Sequence, residues 1–484
     1  MSRDRTLIEG ADVAVVGGSI AGCATALAAH RAGAARVTVH ERTGGRLADR
    51  GVGLAVHNDR YAELTAAGYM DAAMPWVQLA TRRWYVRDAA APLGRQVATL
   101  PFPFRSYCWG PLWRELRSRL PADTVFRSGV TVHAVGEDPD GVRLALRDGD
   151  RSAGAGSGPG ERGGPDEGRG ADEGHGADEG NGAGDRRHGN HDHRRRGTHR
   201  NRGHDRHDHA GRHDHDVDRT ERFDLAIGAD GYRSLVREAA FPGIRPRYAG
   251  YLAWRGAVPV DRLAALDFPG LPARPWADED CIYGVFPGGH VIIYRIPDGR
   301  GGQRANWVLY TTPPAGLDLD LGTPTSLPPG TLTEALHSHL AHVAEELLPP
   351  YWGGLLRLTP PEEVFIQPMY DFTAPRYAAG RLLLAGDAAT VARPHTGAGA
   401  VKALQDAVAL EAALQALPRN PDALAAYGAE RGATGRTMVE LGRRLGRFLV
   451  QDTPDWRSLD QAGVEQGWAA ADGSGAFGGR ALRG

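Results

Sequence analysis

The chain has 484 residues, 41% of them hydrophobic, enough for two or three domains or one large composite unit. Its formal net charge is −2 and its sequence pI about 6.8, which argues against nucleic acid or an anionic membrane surface as a partner. The N-terminal segment lacks the apolar core of a signal peptide and no run of about 18 apolar residues occurs, so a cytoplasmic protein without a membrane span is expected. Cys23, Cys108 and Cys281 are far apart and odd in number, so they form neither a metal pattern nor a disulfide framework and are expected as reduced, buried side chains.

Residues 12–17 read as a strand, 20–32 as a helix and 36–40 as a second strand, a βαβ unit. The first strand runs into Gly17, Gly18, Ser19, Ile20, Ala21 and Gly22, where the helix starts. Glycine permits the tight turn, and free amides at a helix start hold a pyrophosphate. Ser19 stands where G-x-G-x-x-G has its second glycine. Glu41 follows the second strand, 24 residues after Gly17, where a carboxylate accepts hydrogen bonds from an adenosine ribose. A dinucleotide is therefore expected.

From about Arg151 to Thr220 the chain is Gly, Asp, Glu, Arg and His with almost no apolar residue, and is expected to be disordered. It separates two strand-like runs, "DGVRLALRDGD" and "RFDLAIGADG". Ten of the 19 histidines lie in it, a density that binds divalent Ni or Zn, although the spacing implies no preorganised site. A metal-storage or delivery protein is thus the reading from outside enzymology, and no specific metal site is expected. Further on, Asp230 sits at a strand end before Arg233 and Arg237 on a helix. Between residues 245 and 310 several short runs read as antiparallel strands. Leu382 to Ala385 is again a strand end, leading through Gly386, Asp387, Pro394 and His395 into a helix opened by Gly397, Ala398 and Gly399. A further helix is expected near Asp422–Val450, and the last residues, "ADGSGAFGGRALRG", read as a frayed tail.

Three strand-end motifs so far apart converge on one extended ligand. "GGSIAG", "GADGYRS" and "AGDAA" stand in the order of the three flavin motifs of the FAD-dependent aromatic hydroxylases, the flavoprotein monooxygenases built like p-hydroxybenzoate hydroxylase, which the chain resembles. "RPRYAGYLAWRG", "GGQRANWVLY", "IQPMYD" and "ARPHTGAG" look closest to the 2,6-dihydroxypyridine hydroxylase branch. The resemblance implies an α/β (α+β composite) protein: a Rossmann-type FAD-binding domain, an interleaved antiparallel β-sheet substrate domain and C-terminal helices. The expected parts are 10–150 (FAD-binding domain, first part, with some substrate-domain elements), 151–220 (insertion), 221–244 (second FAD motif), 245–370 (substrate domain), 371–450 (third FAD motif and C-terminal helices) and 451–484 (tail).

The resemblance also implies FAD as cofactor, NAD(P)H as transient electron donor, O₂ and a small aromatic substrate, with hydroxylation through a flavin C4a-hydroperoxide. Other FAD-dependent oxidations, such as epoxidation or oxidase chemistry, stay open. Carried over, Gly17, Gly18, Ser19, Ile20, Ala21 and Gly22 cradle the pyrophosphate, and Glu41 holds the adenosine ribose beside Arg42. Asp387, after Gly386, binds the ribitol or pyrophosphate, and Asp230 supports both FAD and the nicotinamide donor. An arginine that the family often carries is replaced here by Trp109, with Arg114 a turn later as the substitute. Pro394 sets a rigid turn, and the glycine-rich start of the following helix offers amides to the negative charge of reduced flavin. Arg255 and Tyr294 are candidates for an oxyanion of the substrate, with Tyr283 beside them, and His395 for a proton relay. His290 reads as a loop residue, and Trp254 and Trp307 as core or cavity walls.

Overall fold

A computed structural model of the chain describes residues 8, 10–44, 53–148, 219–317, 321, 327–473, 475 and 477–479. The chain divides into one compact unit of residues 1–151 and 216–484, which holds every described residue, and a second of 152–215. The His-rich insertion, expected over 151–220, lies outside the described residues except for its last two.

The chain opens with β1 (Asp12–Val16), α1 (Ile20–Arg31) and β2 (Arg36–Glu41), the expected βαβ unit. Next come β3 (Gly53–His57), α2 (Asn58–Ala66), β4 (Val77–Asp88), β5 (Ala91–Cys108) and α3 (Trp109–Ser118). Three short strands, β6 (Val125–Ser128), β7 (Val130–Asp138) and β8 (Gly141–Asp148), precede the insertion. After it come β9 (Arg219–Phe223), β10 (Leu225–Gly228) and α4 (Leu235–Ala240). Four long strands follow: β11 (Arg247–Pro259), β12 (Asp280–Phe286), β13 (Gly289–Pro297) and β14 (Gln303–Thr311). Then α5 (Glu334–His342) and α6 (Pro350–Arg357) lead to β15 (Phe365–Thr373), β16 (Ala378–Ala379), β17 (Leu382–Leu384) and β18 (Thr390–Val391). Three helices finish the chain: α7 (Gly399–Ala416), α8 (Ala423–Gly446) and α9 (Gln461–Asp472).

The first sheet has the order β16-β17-β10-β1-β2-β6, and its five strands from β17 to β6 are parallel. Val13 to Val16 and Leu225 to Gly228 are buried without interruption, the pattern of strands covered on both faces. Val16 lies opposite both Gly228 and His40, and Gly228 opposite Leu384. The carboxyl ends of β1, β2, β10 and β17 therefore share one edge, the edge where open parallel sheets bind ligands.

The second sheet has nine strands in the order β18-β15-β11-β14-β13-β12-β4-β5-β3. It is antiparallel as expected except at β12 and β4, which run parallel, Cys281 beside Arg82 and Tyr283 beside Trp84. Its faces alternate along each strand. Leu252, Trp254, Ile293 and Trp307 pack against α5 and α6 in one core. Tyr251, Ala253, Tyr283 and Tyr310 pack on the other face with α8 and α9. Trp254 and Trp307 are thus core residues and not cavity walls. His290 lies within β13, not in a loop; the hairpin turn is Pro287 and Gly288, and the strand begins at Gly289.

As far as Gly479 the last segment departs from the frayed tail expected of it, and residues 480–484 lie outside the described residues. Trp456, Trp468 and Phe477 are buried in the core of the second sheet, and α9 is capped by Asp460, whose side chain accepts from the Gly463 N–H. Small residues dominate the local sequence, but three aromatic side chains supply the burial that holds it. Among the described residues no helix is long and apolar enough to cross a membrane.

The third sheet is β7-β8-β9, and the insertion joins β8 to β9, whose ends meet with Leu146 opposite Arg219. Four residues suffice to join such antiparallel ends. Replacing residues 151–216 with a four-residue turn is expected to leave the fold intact and stabilise it by up to ~2 kcal/mol through lower closure entropy. A thermal unfolding midpoint that falls would contradict this.

Candidate active site

At the end of β1 the chain turns through Gly17, with φ +100°, where a Cβ would lie 2.4 Å from the Ala229 carbonyl oxygen. A Cβ on Gly22 would lie 1.9 Å from the Gly17 oxygen, so α1 packs on the turn only because that position is glycine. Ser19 is the N-cap of α1 but its hydroxyl makes no capping bond, leaving the first amides, from Ile20 and Ala21 on, for an anion. Glu41 ends β2 with its carboxylate fixed: the Gly18 N–H donates to Oε2 at 2.7 Å and the Thr43 N–H to Oε1 at 2.8 Å. Arg42 and Arg114 are exposed and make no hydrogen bond or ion pair with the described residues. Trp113, which sequence reasoning passed over, donates its indole N–H to the Gly18 carbonyl at 2.8 Å and stacks on Trp109.

Asp230 follows β10. Its Oδ2 accepts the Leu235 N–H at 2.8 Å, while Oδ1 is buried without a partner. Burial pushes its carboxyl pKa above the ordinary value. Arg237 joins this loop to the next, donating to the Ala388 carbonyl at 2.9 Å and to the Tyr232 carbonyl at 2.8 Å.

After β17, Gly386 takes φ +57°, and a Cβ there would lie 2.7 Å from that of Ala21. Its backbone is clamped by two side chains of α7. The Gly386 N–H donates to Asp406 Oδ2 at 2.9 Å, and Lys402 Nζ donates to the Gly386 oxygen at 3.0 Å. Lys402 and Asp406 pair at 2.6 Å, and Arg431 Nε donates to the other Asp406 oxygen at 2.8 Å, all three side chains being at most 3% exposed. Asp387 is left exposed at the end of this clamp, lining a cavity beside the parallel sheet.

That cavity has a volume of about 300 Å³. One wall is the entry to α7: Pro394, His395, Gly397, Ala398 and Gly399. Gly397 has φ +62°, which turns the chain from the Pro-His-Thr helical turn into α7. The opposite wall is the second sheet, with Arg255, Tyr283, Tyr294 and Tyr310. Arg255 has no ion pair or hydrogen bond among the described residues, and its Nε is buried and unpartnered. Tyr294 is raised well above the ordinary phenol range by burial, so its hydroxyl stays neutral and able to donate. His395 Nε2 lies 2.8 Å from the Tyr251 hydroxyl, and its ring centroid lies 4.4 Å from Tyr310 and 5.3 Å from His290. Burial, then the neighbouring His290 and Arg393, hold His395 well below the usual imidazole range.

The structure thus brings Arg255, Tyr294, His395, Asp387, Pro394, Gly397, Ala398 and Gly399 to one cavity. It puts Gly17 to Gly22, Glu41, Asp230 and Gly386 along the adjoining sheet edge. The fit to FAD rests on this donor set: a glycine turn that no side chain could enter, uncapped helix amides, a fixed carboxylate at the end of β2 and an orphaned buried carboxylate oxygen on Asp230. The fold is that of an FAD-binding flavoprotein.

Residues 344–441 match the family model described as FAD binding domain. The chain is 34% identical over 191 residues to the 2,6-dihydroxypyridine 3-monooxygenase of Paenarthrobacter nicotinovorans, covering 37% of this chain and 46% of the relative. It is 31% identical over 241 residues to the 3-amino-4-hydroxybenzoate 2-monooxygenase of Streptomyces cremeus, covering 49% and 53%. These matches span about half the length of those curated relatives. The solved structure of 2,6-dihydroxypyridine-3-hydroxylase from Arthrobacter nicotinovorans superposes with a TM-score of 0.65 at 22% identity, over 93% of this chain and 96% of that one. The resemblance to the FAD-dependent aromatic hydroxylases is therefore borne out, and FAD is the cofactor.

Asp387→Ala is expected to weaken FAD retention with little change in stability, since Asp387 faces the cavity. Asp406→Ala should destabilise the fold by ~3–5 kcal/mol by stranding buried cations, and release FAD as well. Flavin content after gel filtration and thermal unfolding separate the two; Asp387→Ala with full flavin content would remove Asp387 from the site. Burial also lowers His290 to about 3, from an ordinary 6.5. Below pH 6.5 the unfolded chain takes up a proton there that the folded chain refuses until about pH 3, so stability falls with pH across that window. His290→Asn should flatten the slope of the unfolding midpoint between pH 6.5 and 4 by about one proton's worth; an unchanged slope contradicts the assignment.

Proposed function

We propose that this protein is a cytoplasmic FAD-dependent monooxygenase that uses NAD(P)H and O₂ to hydroxylate an aromatic or N-heteroaromatic small molecule. The observation that carries the reading is the cavity bounded by the α7 entry on one side and by Arg255 and three tyrosines on the other. The activities of the relatives, a dihydroxypyridine and an aminohydroxybenzoate monooxygenase, support the substrate class.

Gly17 to Gly22, with Glu41, would hold the pyrophosphate and adenosine ribose, Asp387 the ribitol, and Pro394 to Gly399 the ring. Bound FAD supplies hydride acceptance and oxygen activation. Arg255 orients the ring to be hydroxylated through an oxygen on it, and the neutral Tyr294 hydroxyl donates a second hydrogen bond. His395, neutral at working pH and hydrogen-bonded to Tyr251, holds and moves a proton between the cavity and that buried tyrosine. Phe102, Ile292, Val308 and Phe477 complete an apolar lining that keeps water out.

The purified protein is expected to show a flavin spectrum, and one phenol or hydroxypyridine in a panel should stimulate NAD(P)H oxidation and gain one oxygen atom by mass. Arg255→Met should lower kcat/KM by about 10²-fold, most of it in KM. Dehydrogenation without oxygen insertion would replace this reading with oxidase chemistry.

A further inference from the structure

Arg393 stands between two residues of the cavity wall, Ala392 and Pro394, but does not itself line the cavity. Its side chain packs against α8 instead and the residue is 8% exposed. Two glycines four positions apart on α8 make its seat. A Cβ on Gly442 would lie 3.0 Å from the Arg393 backbone nitrogen, and one on Gly446 would lie 2.8 Å from its Nη1. The arginine therefore fits because both positions lack a side chain.

The guanidinium is held at two points. Nε donates to Asp371 Oδ2 on β15 at 2.8 Å, and Nη1 donates to Gln451 Oε1 at 2.8 Å. Each acceptor is fixed in turn. The other Asp371 oxygen accepts from Arg443 Nη2 at 2.7 Å, and Gln451 Nε2 donates to the Ala249 carbonyl of β11 at 3.0 Å. Gln451 closes a π-turn over Arg447–Gln451, into which the end of α8 widens, a distortion frequent at functional sites. The same turn presents the Leu449 carbonyl to His290 Nδ1 at 3.2 Å.

A planar fork with two fixed acceptors is confined in orientation as well as in distance, which an ammonium group is not. Burying Asp371 between two arginines returns little net stability after desolvation. What the clasp determines is place. Pro394 follows directly, and its locked φ leaves little freedom to absorb a shift of Arg393. The Pro-His-Thr turn then carries that position on to Gly397 and the amides that open α7.

We infer that Arg393 is a positioning residue for the flavin ring: clasped by Asp371 and Gln451 behind the wall, it sets the place of the α7 entry and so how strongly those amides hold the negative charge of reduced flavin. The inference rests on the reading that Pro394 to Gly399 hold the ring. It adds that their hold is set from outside the cavity, by side chains absent from its lining.

The test measures dissociation constants for oxidised FAD and for dithionite-reduced FAD, together with the flavin midpoint potential and thermal unfolding. Arg393→Lys keeps a cation beside Asp371 but cannot reach both acceptors. Gln451→Ala, at an exposed residue, removes one acceptor and leaves the ion pair. Each is expected to weaken reduced FAD about tenfold more than oxidised FAD, less than the ~10²-fold that follows deletion of such a donor. A tenfold change in that ratio is a midpoint about 30 mV more negative. The double variant should move the ratio no further than Arg393→Lys alone, because both changes open one clasp. A residue that only holds the fold would lower the unfolding midpoint and weaken both redox forms equally. An unchanged ratio in the single variants, or shifts that add in the double variant, overturns the inference. Should Arg393→Lys fail to fold, Gln451→Ala must still move the ratio. A protein that binds neither form of FAD overturns the reading of the α7 entry itself, so flavin retention separates that failure from this one.

Discussion

The site depends on a buried carboxylate that touches no ligand. Asp406 accepts from the Gly386 N–H, from Lys402 and from Arg431, two turns into a helix whose entry also walls the cavity. Burying one carboxylate with two cations is poor value as stability, because desolvation consumes most of the attraction. Its return is geometric. Gly386 must sit in a left-handed conformation pressed on Ala21, and only a fixed amide and carbonyl keep it there. Asp387 then projects from a backbone that cannot shift.

Around that clamp the two large sheets meet the ligand differently. The parallel sheet offers backbone: glycine turns, uncapped amides and single acids at strand ends. The nine-stranded sheet offers side chains with polar tips, Tyr283, Tyr294, Tyr310 and Arg255, on one face only, because its other face is closed by α5 and α6. Backbone donors suit a large ligand that is always the same. Side-chain donors suit a smaller one that differs between related proteins.

What was legible in the sequence was local. Gly17, Gly22, Glu41, Asp230 and Asp387 announce themselves because a strand end, a required φ or an acid at a fixed spacing lies within a few residues of each. Tyr251, Trp113 and Arg82 did not, since their meaning lies in partners far along the chain: His395, Gly18 and Trp468. His290 was misplaced because Pro287 and Gly288 signal a turn without saying on which residue the strand resumes. The parallel pairing of β12 with β4 has no local signature at all. The last segment misled most. Its glycines and alanines read as unstructured, and three aromatic side chains outweighed them once a hydrophobic face existed to receive them.

That last segment has a consequence for how the protein comes to exist. Trp468 stacks on Arg82, and Phe477 supplies part of the cavity lining, yet both leave the ribosome after every other wall has been made. The parallel sheet and its glycine turn can assemble during synthesis, but the chamber for the ring stays open to water until these late residues emerge and dock. Closure of the ring chamber therefore follows synthesis of the parallel sheet, because Trp468 and Phe477 lie after its last strand in the chain.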